Sequence, residues 1–547
     1  ITNILGSKSV AIGRAALQVQ NPASAVDMHN VAIGHGAGES VTTGIRNTLI
    51  GGLAGDALGD ADDNVAVGMQ ALTRDTLGSK STAVGFNTLA DQNFTSAQDS
   101  YNTAMGYNAG GAVSTGIQNT FIGGLAGDVF TGGGYSGATR QEGADYNVAV
   151  GVSALGTDTK GNKSVALGYS ALTTQNFTSS TDTFNVAVGF LAGGGVTTGV
   201  ANTLIGGLCG DSLTDADYNV AIGLSTLSAD TLGSRTTAVG QGALQAQNFT
   251  AATITYNTAV GYEAGNDVTT GVQNTLMGYG AGDSLTGGGF SGDTRQAGAD
   301  YNVAIGTNAL AADTLGSKSV AIGREALVTQ NFTSAADTFN TAVGYAAGQG
   351  VTTGTGNTLI GTNAGDAITT GDSNVQLGYL TAASAVDVDA EFVIGAGVAG
   401  SGGSTITIGS GAGKIYNAFT SNATWTQTSD ERLKKNIVPD TLGLSFINRL
   451  ETVKYNWKPS NEINESLPYY AEENTRDTTT VMHGLVAQQV KEALEAEGVD
   501  TFAGWVEGVD GVQGVSREMF ISPLIKAIQE QQTIIEALTA RITTLEG

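Results

Sequence analysis

The sequence predicts an all-β repeat shaft, a parallel β-solenoid or β-roll over residues 1–395, then a neck at 396–429 and a small α+β domain at 430–547. Three observations predict this. A five-residue motif returns some twenty times at near-constant spacing. Glycine supplies 80 of 547 residues and aromatics only 6%, which suits short strands and tight turns better than a large globular core. Composition then breaks near residue 425: four of five prolines, all three tryptophans and 11 of 24 Lys and Arg lie in the last 123 residues, so a separate domain begins there.

The motif reads Asn or Ser, Val or Thr, Ala or Leu, Ile or Val, then Gly, as in NVAIG ending at Gly34, NTLIG at Gly51, NVAVG at Gly68 and NTAMG at Gly106. Most intervals are 17 residues, with some of 21 and two of 28, and four units make a larger module, seen when Gly68, Gly151, Gly223 and Gly306 are aligned. In a strand the second and fourth residues share one face and the third takes the other. The fourth is apolar in nearly every copy (Ile33, Ile50, Val67, Met105, Ile122), so its face is expected to be buried. The third is usually Ala or Leu, so the opposite face is also lean in charge, and strands apolar on both sides need a cover on both, which a partner chain would supply. Glycine after each strand permits a turn at φ > 0, and the leading Asn is placed to bond its own backbone or stack in a ladder. Twenty coils at ~4.8 Å each give a rod on the order of 100 Å long.

The formal net charge of −26 excludes nucleic acid and anionic membrane surfaces as partners, since both would repel the chain. No run of 18 or more apolar residues predicts membrane insertion. The chain opens mid-repeat at ITNILGSKSV and is read as a fragment from which any N-terminal attachment region is absent. Cys209 is the sole cysteine and stands in GGLCGD where another copy has GGLAGD, so it replaces a packed alanine and a reducing compartment is adequate for folding. His29, His35 and His483 form no ligand-spaced cluster, and neither metal nor cofactor is expected. Aspartates recur in AGD or CGD steps (Asp56, Asp128, Asp211, Asp283, Asp366) and in GDADD from Gly59 to Asp63. They are read as solvated turn residues, because the calcium-binding β-roll nonapeptide is absent. The tetrapeptide QNFT, with Asn93, Asn176, Asn248 and Asn331, is formally a glycosylation sequon, but a periodic Phe that plugs the coil edge explains it more simply. A carboxylate pair for glycoside hydrolysis would need one singular pocket, whereas these acids sit in repeated turns. Two long loops, 131–146 and 286–301, carry Tyr135 and Phe290 and are the first choice for lateral contact with a glycan.

The repeat NVAIG with a following AxG or xxAG resembles the head repeats of trimeric autotransporter adhesins, over most of residues 1–378. That likeness implies three chains, each winding a left-handed parallel β-roll, and leaves a bacterial surface adhesin as an alternative. Such an adhesin is expected to end in four amphipathic membrane strands, and this chain ends in a polar coiled coil. Further motifs follow in order: SDERLKKNI at 429–437, TVKYNW at 452–457, HGLVAQQV at 483–490 and a helix from SPLIKAIQEQQ at 522. These resemble the C-terminal intramolecular chaperone of phage tailspikes and tail fibres, the autocleaving endosialidase-tail type. The resemblance implies a homotrimer on a virion tail, in contact with other tail proteins and a host cell-surface glycan or protein receptor. It further implies a chaperone released by a cut between Ser429 and Asp430, with Ser429 the nucleophile and Lys434 its partner; a polysaccharide-cleaving tailspike is the enzymatic alternative. Chemically, the Ser429 hydroxyl can attack its own or an adjacent carbonyl once a base takes its proton. A lysine serves as that base only if burial or neighbouring positive charge assists, and Arg432 and Lys435 are close in sequence. Without the resemblance, these basic residues cap a helix or pair with acids.

The final helix supports oligomerisation on its own pattern. Ser522 is a suitable N-cap and Pro523 suits a first turn, so the coiled coil is placed at 523–547. Leu524, Ile528, Gln531, Ile535, Leu538, Ile542 and Leu545 follow alternating steps of four and three, a seam that fits dimers as readily as trimers.

Overall fold

The computed structural model describes residues 5–136, 139–291, 294–419, 426–467, 469–508 and 510–547. It is a long parallel β-solenoid of about 23 turns followed by a small α+β region that ends in a long helix. The chain divides into two compact units, Ile1–Thr428 and Ser429–Gly547.

Within the first unit, twenty-two short strands pair in parallel and in sequence, from Val10–Ile12 to Thr405–Ser410. Each coil therefore adds one strand to a single continuous sheet and returns through a tight turn. The register is exact across coils of 17, 21 and 28 residues. Ala32 faces Leu49, Ala83 faces Ala104 and Phe121 faces Ala149, so the extra residues of longer coils loop out without shifting a strand.

The assignment of strand faces corrects the sequence expectation. The third motif residue fills the interior and is fully buried from Ala32 onward, as at Leu49, Phe121 and Leu204, whereas the second and fourth point outward and are only half-buried to exposed. One side chain per strand turns in, alanine in most coils and leucine or phenylalanine in others, and the outer face is left uncovered within one chain. Volume is balanced locally: where Leu49 replaces the usual alanine, Gly55 sits beside it, and a Cβ there would lie 2.8 Å from Leu49 Cδ2. The outward positions carry only Val, Thr, Ile, Leu, Met or Phe across all twenty-two strands, although the chain holds 50 acidic and 24 basic residues.

The asparagine ladder forms as expected. The Asn47 amide donates to Asn30 Oδ1 at 2.9 Å, the Asn64 amide to Asn47 Oδ1 at 3.0 Å, and the Asn Nδ2 donates to a carbonyl fourteen residues on, as Asn30 does to Gly44 at 2.8 Å, or twenty-five on in the longest coils, as Asn119 does to Ala144. This satisfies buried amides that the shallow strand pairing would otherwise leave open. The motif glycine has a second duty besides its turn. At Gly51, φ is +139° and a Cβ would lie 2.4 Å from the Gly68 carbonyl oxygen, so neighbouring coils touch backbone to backbone there.

The two long loops form antiparallel hairpins, Tyr135–Ser136 with Thr139–Arg140 and Phe290–Ser291 with Thr294–Arg295. In the neck, Thr405–Ser410 pairs in parallel with Phe392–Ala396 on one side and antiparallel with Gly413–Ala418 on the other, which ends the solenoid.

Candidate functional site

Ser429 and Lys434 are five residues apart, a span of ~17 Å if extended. They are brought together by one turn of 3₁₀-helix, Glu431–Leu433. Asp430 starts that turn in an extended conformation and caps it, accepting from the Arg432 amide at 2.9 Å. The Leu433 amide closes on the Asp430 carbonyl at 3.1 Å and the Lys434 amide on that of Glu431 at 3.0 Å. The chain then leaves in extended form at Lys434, whose Nζ donates to Ser429 Oγ at 2.7 Å. The residues named from sequence thus meet: a hydroxyl, an amine, and the peptide bond to Asp430 beside them.

Arg432 departs from expectation. Its guanidinium forks onto the Asp430 carboxylate, with Nη2 to Oδ2 at 2.6 Å and Nε to Oδ1 at 3.0 Å, and does not lie on Lys434. That hydrogen bond holds the Asp430 carboxyl below the usual carboxylate range and the guanidinium above its own. Asp430 is half-buried, and Arg432, Lys434 and Lys435 are exposed. Apolar neighbours are exposed as well: Leu433, Ile437 and Val438 are 62–76% accessible.

The rest of the unit is a compact support built from the other three motifs. Val453–Tyr455, from TVKYNW, pairs antiparallel with Met482–Gly484, which opens HGLVAQQV, and places Lys454 opposite His483. Helix α1 (Leu444–Arg449), helix α2 (Ala487–Ala496) and the hairpin Trp505–Glu507 with Gln513–Val515 close around Phe446, Phe502 and Phe520, with ring centres 5.2–6.1 Å apart. The start of α1 is capped from a distance, since Glu530 Oε2 accepts from the Leu444 amide at 2.7 Å. A groove of about 670 Å³ opens between Ile447, Leu450, Val453, Leu485, Phe520 and Leu524.

Helix α3 runs Ile521–Glu546, and its start corrects the sequence reading. Ser522 is not the N-cap: a 3₁₀ turn, Arg517–Phe520, leads into the helix, and Phe520, buried in the core, holds the cap position. Pro523 still lies in the first turn, where its missing amide costs nothing. The seam residues Leu524, Ile528, Ile535, Leu538, Ile542 and Leu545 are all exposed in the single chain.

Other residues singled out from sequence resolve individually. The QNFT phenylalanines are buried, as the edge-plug reading expects, with Phe94 and Phe249 fully so. The AGD aspartates are less solvated than expected: Asp56, Asp128, Asp211 and Asp283 are half-buried, and burial pushes their carboxyls up. Asp56 is tied to the next coil, where Thr73 Oγ1 donates to Asp56 Oδ1 at 2.6 Å. In GDADD, Asp63 takes a bidentate bond from Arg46 and Asp62 accepts from the Ile45 amide, so these acids brace the preceding coil. Cys209 is buried with its thiol donating to the Ala221 carbonyl, and desolvation pushes its pKa up to about 12. Tyr135 is half-buried, and the Phe290 side chain lies outside the described residues.

Sequence reasoning missed a buried polar relay that recurs four times. Asp75 Oδ1 accepts from the amides of Gly78 (3.0 Å) and Phe94 (3.2 Å), and Asp75 Oδ2 accepts from Gln92 Nε2 at 2.6 Å. Gln92 also donates to Ser81 Oγ and accepts from Asn102 Nδ2. The relay stands where Ser81 replaces a ladder asparagine in a 21-residue coil, and Gln92 restores the missing link. Asp158 with Gln175, Asp230 with Gln247 and Asp313 with Gln330 repeat it. The signal in the sequence was an Asp seventeen residues before each QNFT.

No curated protein and no solved structure matches the chain. Residues 429–499 match the family described as chaperone of endosialidase, and the match begins at the serine that meets Lys434.

Proposed function

We propose that the chain is a homotrimeric tail-fibre shaft of a bacterial virus, made with a C-terminal chaperone that aligns three chains and then severs itself between Ser429 and Asp430. The observation that carries this reading is the 2.7 Å contact from Lys434 Nζ to Ser429 Oγ at the first residue of the matched region. In the reaction, neutral Lys434 takes the Ser429 hydroxyl proton, Oγ adds to the Ser429 carbonyl carbon, and the proton passes to the Asp430 nitrogen as the C–N bond breaks. The resulting ester is hydrolysed by water, which regenerates the hydroxyl and leaves a carboxylate on residue 429. Asp430, held by Arg432, keeps the turn in place. A partner chain that covers exposed Leu433, Ile437 and Val438 desolvates Lys434, which ties cleavage to assembly.

Trimerisation is supported by two unpartnered apolar surfaces, the uncharged sheet face of the shaft and the exposed seam of α3. The mature shaft works outside the cell as part of the virion tail, joined to other tail proteins and touching a host surface glycan or protein. The test is to express the chain beside a Ser429→Ala variant and weigh both. The parent loses 118 residues (547 − 429) and the variant stays whole. Lys434→Arg abolishes cleavage. A parent that assembles fully yet stays uncut overturns the cleavage reading.

A further inference from the structure

The trimeric reading leaves open which residues meet between chains, and the shaft carries a pattern that answers it. The sheet face is bordered by two rims. The residue just before each motif forms one and the residue just after the motif glycine forms the other, six positions apart, or roughly 20 Å at the usual strand rise. Both rims vary along the shaft with the same period.

In the first coil of successive modules both rims are aromatic: Tyr101 with Tyr107, Phe184 with Phe190, Tyr256 with Tyr262. These rings are 44–62% exposed, those that stack on a neighbouring coil included. On one rim Lys80 Nζ lies 5.1 Å from the Tyr101 ring centre and Lys163 Nζ lies 5.2 Å from that of Phe184. On the other, Phe86 stacks on Tyr107 and Tyr169 on Phe190, both at 5.5 Å. Each junction between modules thus raises a two-coil knuckle on both rims at the same height. The coil that follows is low on both, with Gln118 and Gly124 in one module and Ala201 and Gly207 in the next. A Cβ on Gly124 would meet nothing closer than 4.0 Å. Gln273 with Tyr279 is the departure from this pattern.

Closed symmetry about an axis along the shaft sets equal coils at equal height. With the three uncharged faces turned inward, one rim of each chain lies against the opposite rim of the next. We propose that these rims are the seam between chains, so that Phe184 packs on Phe190 of the next copy, Lys163 meets Tyr169 of the next copy, and the low coils let backbones approach at Ala201 and Gly207. The inference rests on the trimeric reading, and the partner is a further copy of this chain. The face is large enough: twenty-two coils at ~4.8 Å and a width of ~20 Å give on the order of 2,000 Å², against ~800 Å² per partner in a standard stable interface. The centre of such an interface is depleted in charge and enriched in aromatic rings; here the strand face is free of charge and the rings stand on its two rims.

The test places thiols at the low coil. In a full-length Cys209→Ala background, the double variant Ala201→Cys, Gly207→Cys is treated with a short bis-maleimide and run on a denaturing gel, beside each single variant. A link between the two thiols of one chain leaves the one-chain mass unchanged and does not mimic the expected shift. The expected result is a shift from one-chain to three-chain mass in the double variant only. The pair Gln118→Cys, Gly124→Cys repeats the measurement at a second height and serves if the first pair fails to fold. A chain that sediments as a trimer but shows no such shift, or single variants that cross-link as readily, overturns the rim pairing alone. A chain that sediments as a monomer overturns the trimer as well.

Discussion

Gly51 and Gly52 stand side by side, and alanine at each should have opposite results. Gly51 ends a strand at φ +139°, and a Cβ there would lie 2.4 Å from the Gly68 carbonyl oxygen and 2.6 Å from its carbon. Holding alanine in that conformation costs about 1–3 kcal/mol. The clash is relieved only by lifting one coil from the next, which stretches the bonds from the Gly51 amide to Ile33 (2.8 Å) and from the Gly68 amide to Ile50 (2.7 Å). At about 0.5–1.5 kcal/mol each, these bring the total to about 2–6 kcal/mol. Gly52 has an ordinary backbone and nothing within 4 Å of a built Cβ, so alanine there should be neutral or stabilise by about 0.4–1 kcal/mol through the unfolded chain. Because a solenoid opens locally, a global melting curve would dilute the effect. Hydrogen exchange read on peptides spanning residues 45–70 is the suitable assay. Gly51→Ala should accelerate exchange of the Gly51 and Gly68 amides by at least about thirtyfold, the equivalent of 2 kcal/mol, while Gly52→Ala leaves it unchanged or slower. Equal exchange in the two variants would refute the backbone-contact argument.

Three further outcomes are expected. Gln92→Leu leaves Asp75 Oδ2 and Asn102 Nδ2 without that partner, at about 1–3 kcal/mol for each buried group, read as faster exchange confined to the coils of Asp75 and Asn102. Burial holds the carboxyls of Asp75, Asp158, Asp230 and Asp313 above the usual range, against the bonds they accept. Each binds its proton more tightly folded than unfolded, so its contribution to stability is complete below the unfolded value of about 3.9 and is lost as pH rises through the folded value. The urea midpoint of the shaft should therefore rise as pH is lowered from 7 to 5, less so for Asp75→Asn, and a fall would count against the buried relay. The Cys209 thiol, at about 12 and buried, should resist alkylation at pH 8 until the shaft is unfolded, whereas prompt labelling would contradict its packing.

The repeat itself, its strands, its asparagine ladder and the break into a C-terminal unit were legible because each is a local property. Strand, turn and glycine recur within 17 residues and need no knowledge of what lies across the coil. The Ser429–Lys434 contact was legible for the same reason, since one turn joins the two residues. The start of α3 was misread because Phe520, not Ser522, anchors it, and that depends on Phe446 and Phe502 from distant segments.

Amino-acid order alone determined that this chain winds as a parallel solenoid and carries a different unit after it, because periodic spacing forces periodic backbone. Only the tertiary structure decided which side of each strand is the inside. Ile33 and Ala32 are both apolar, and hydrophobicity alone favours burying the larger; the side to which the chain returns after each strand decides instead, and it buries the third residue of every coil, whether Ala32, Leu49 or Phe121.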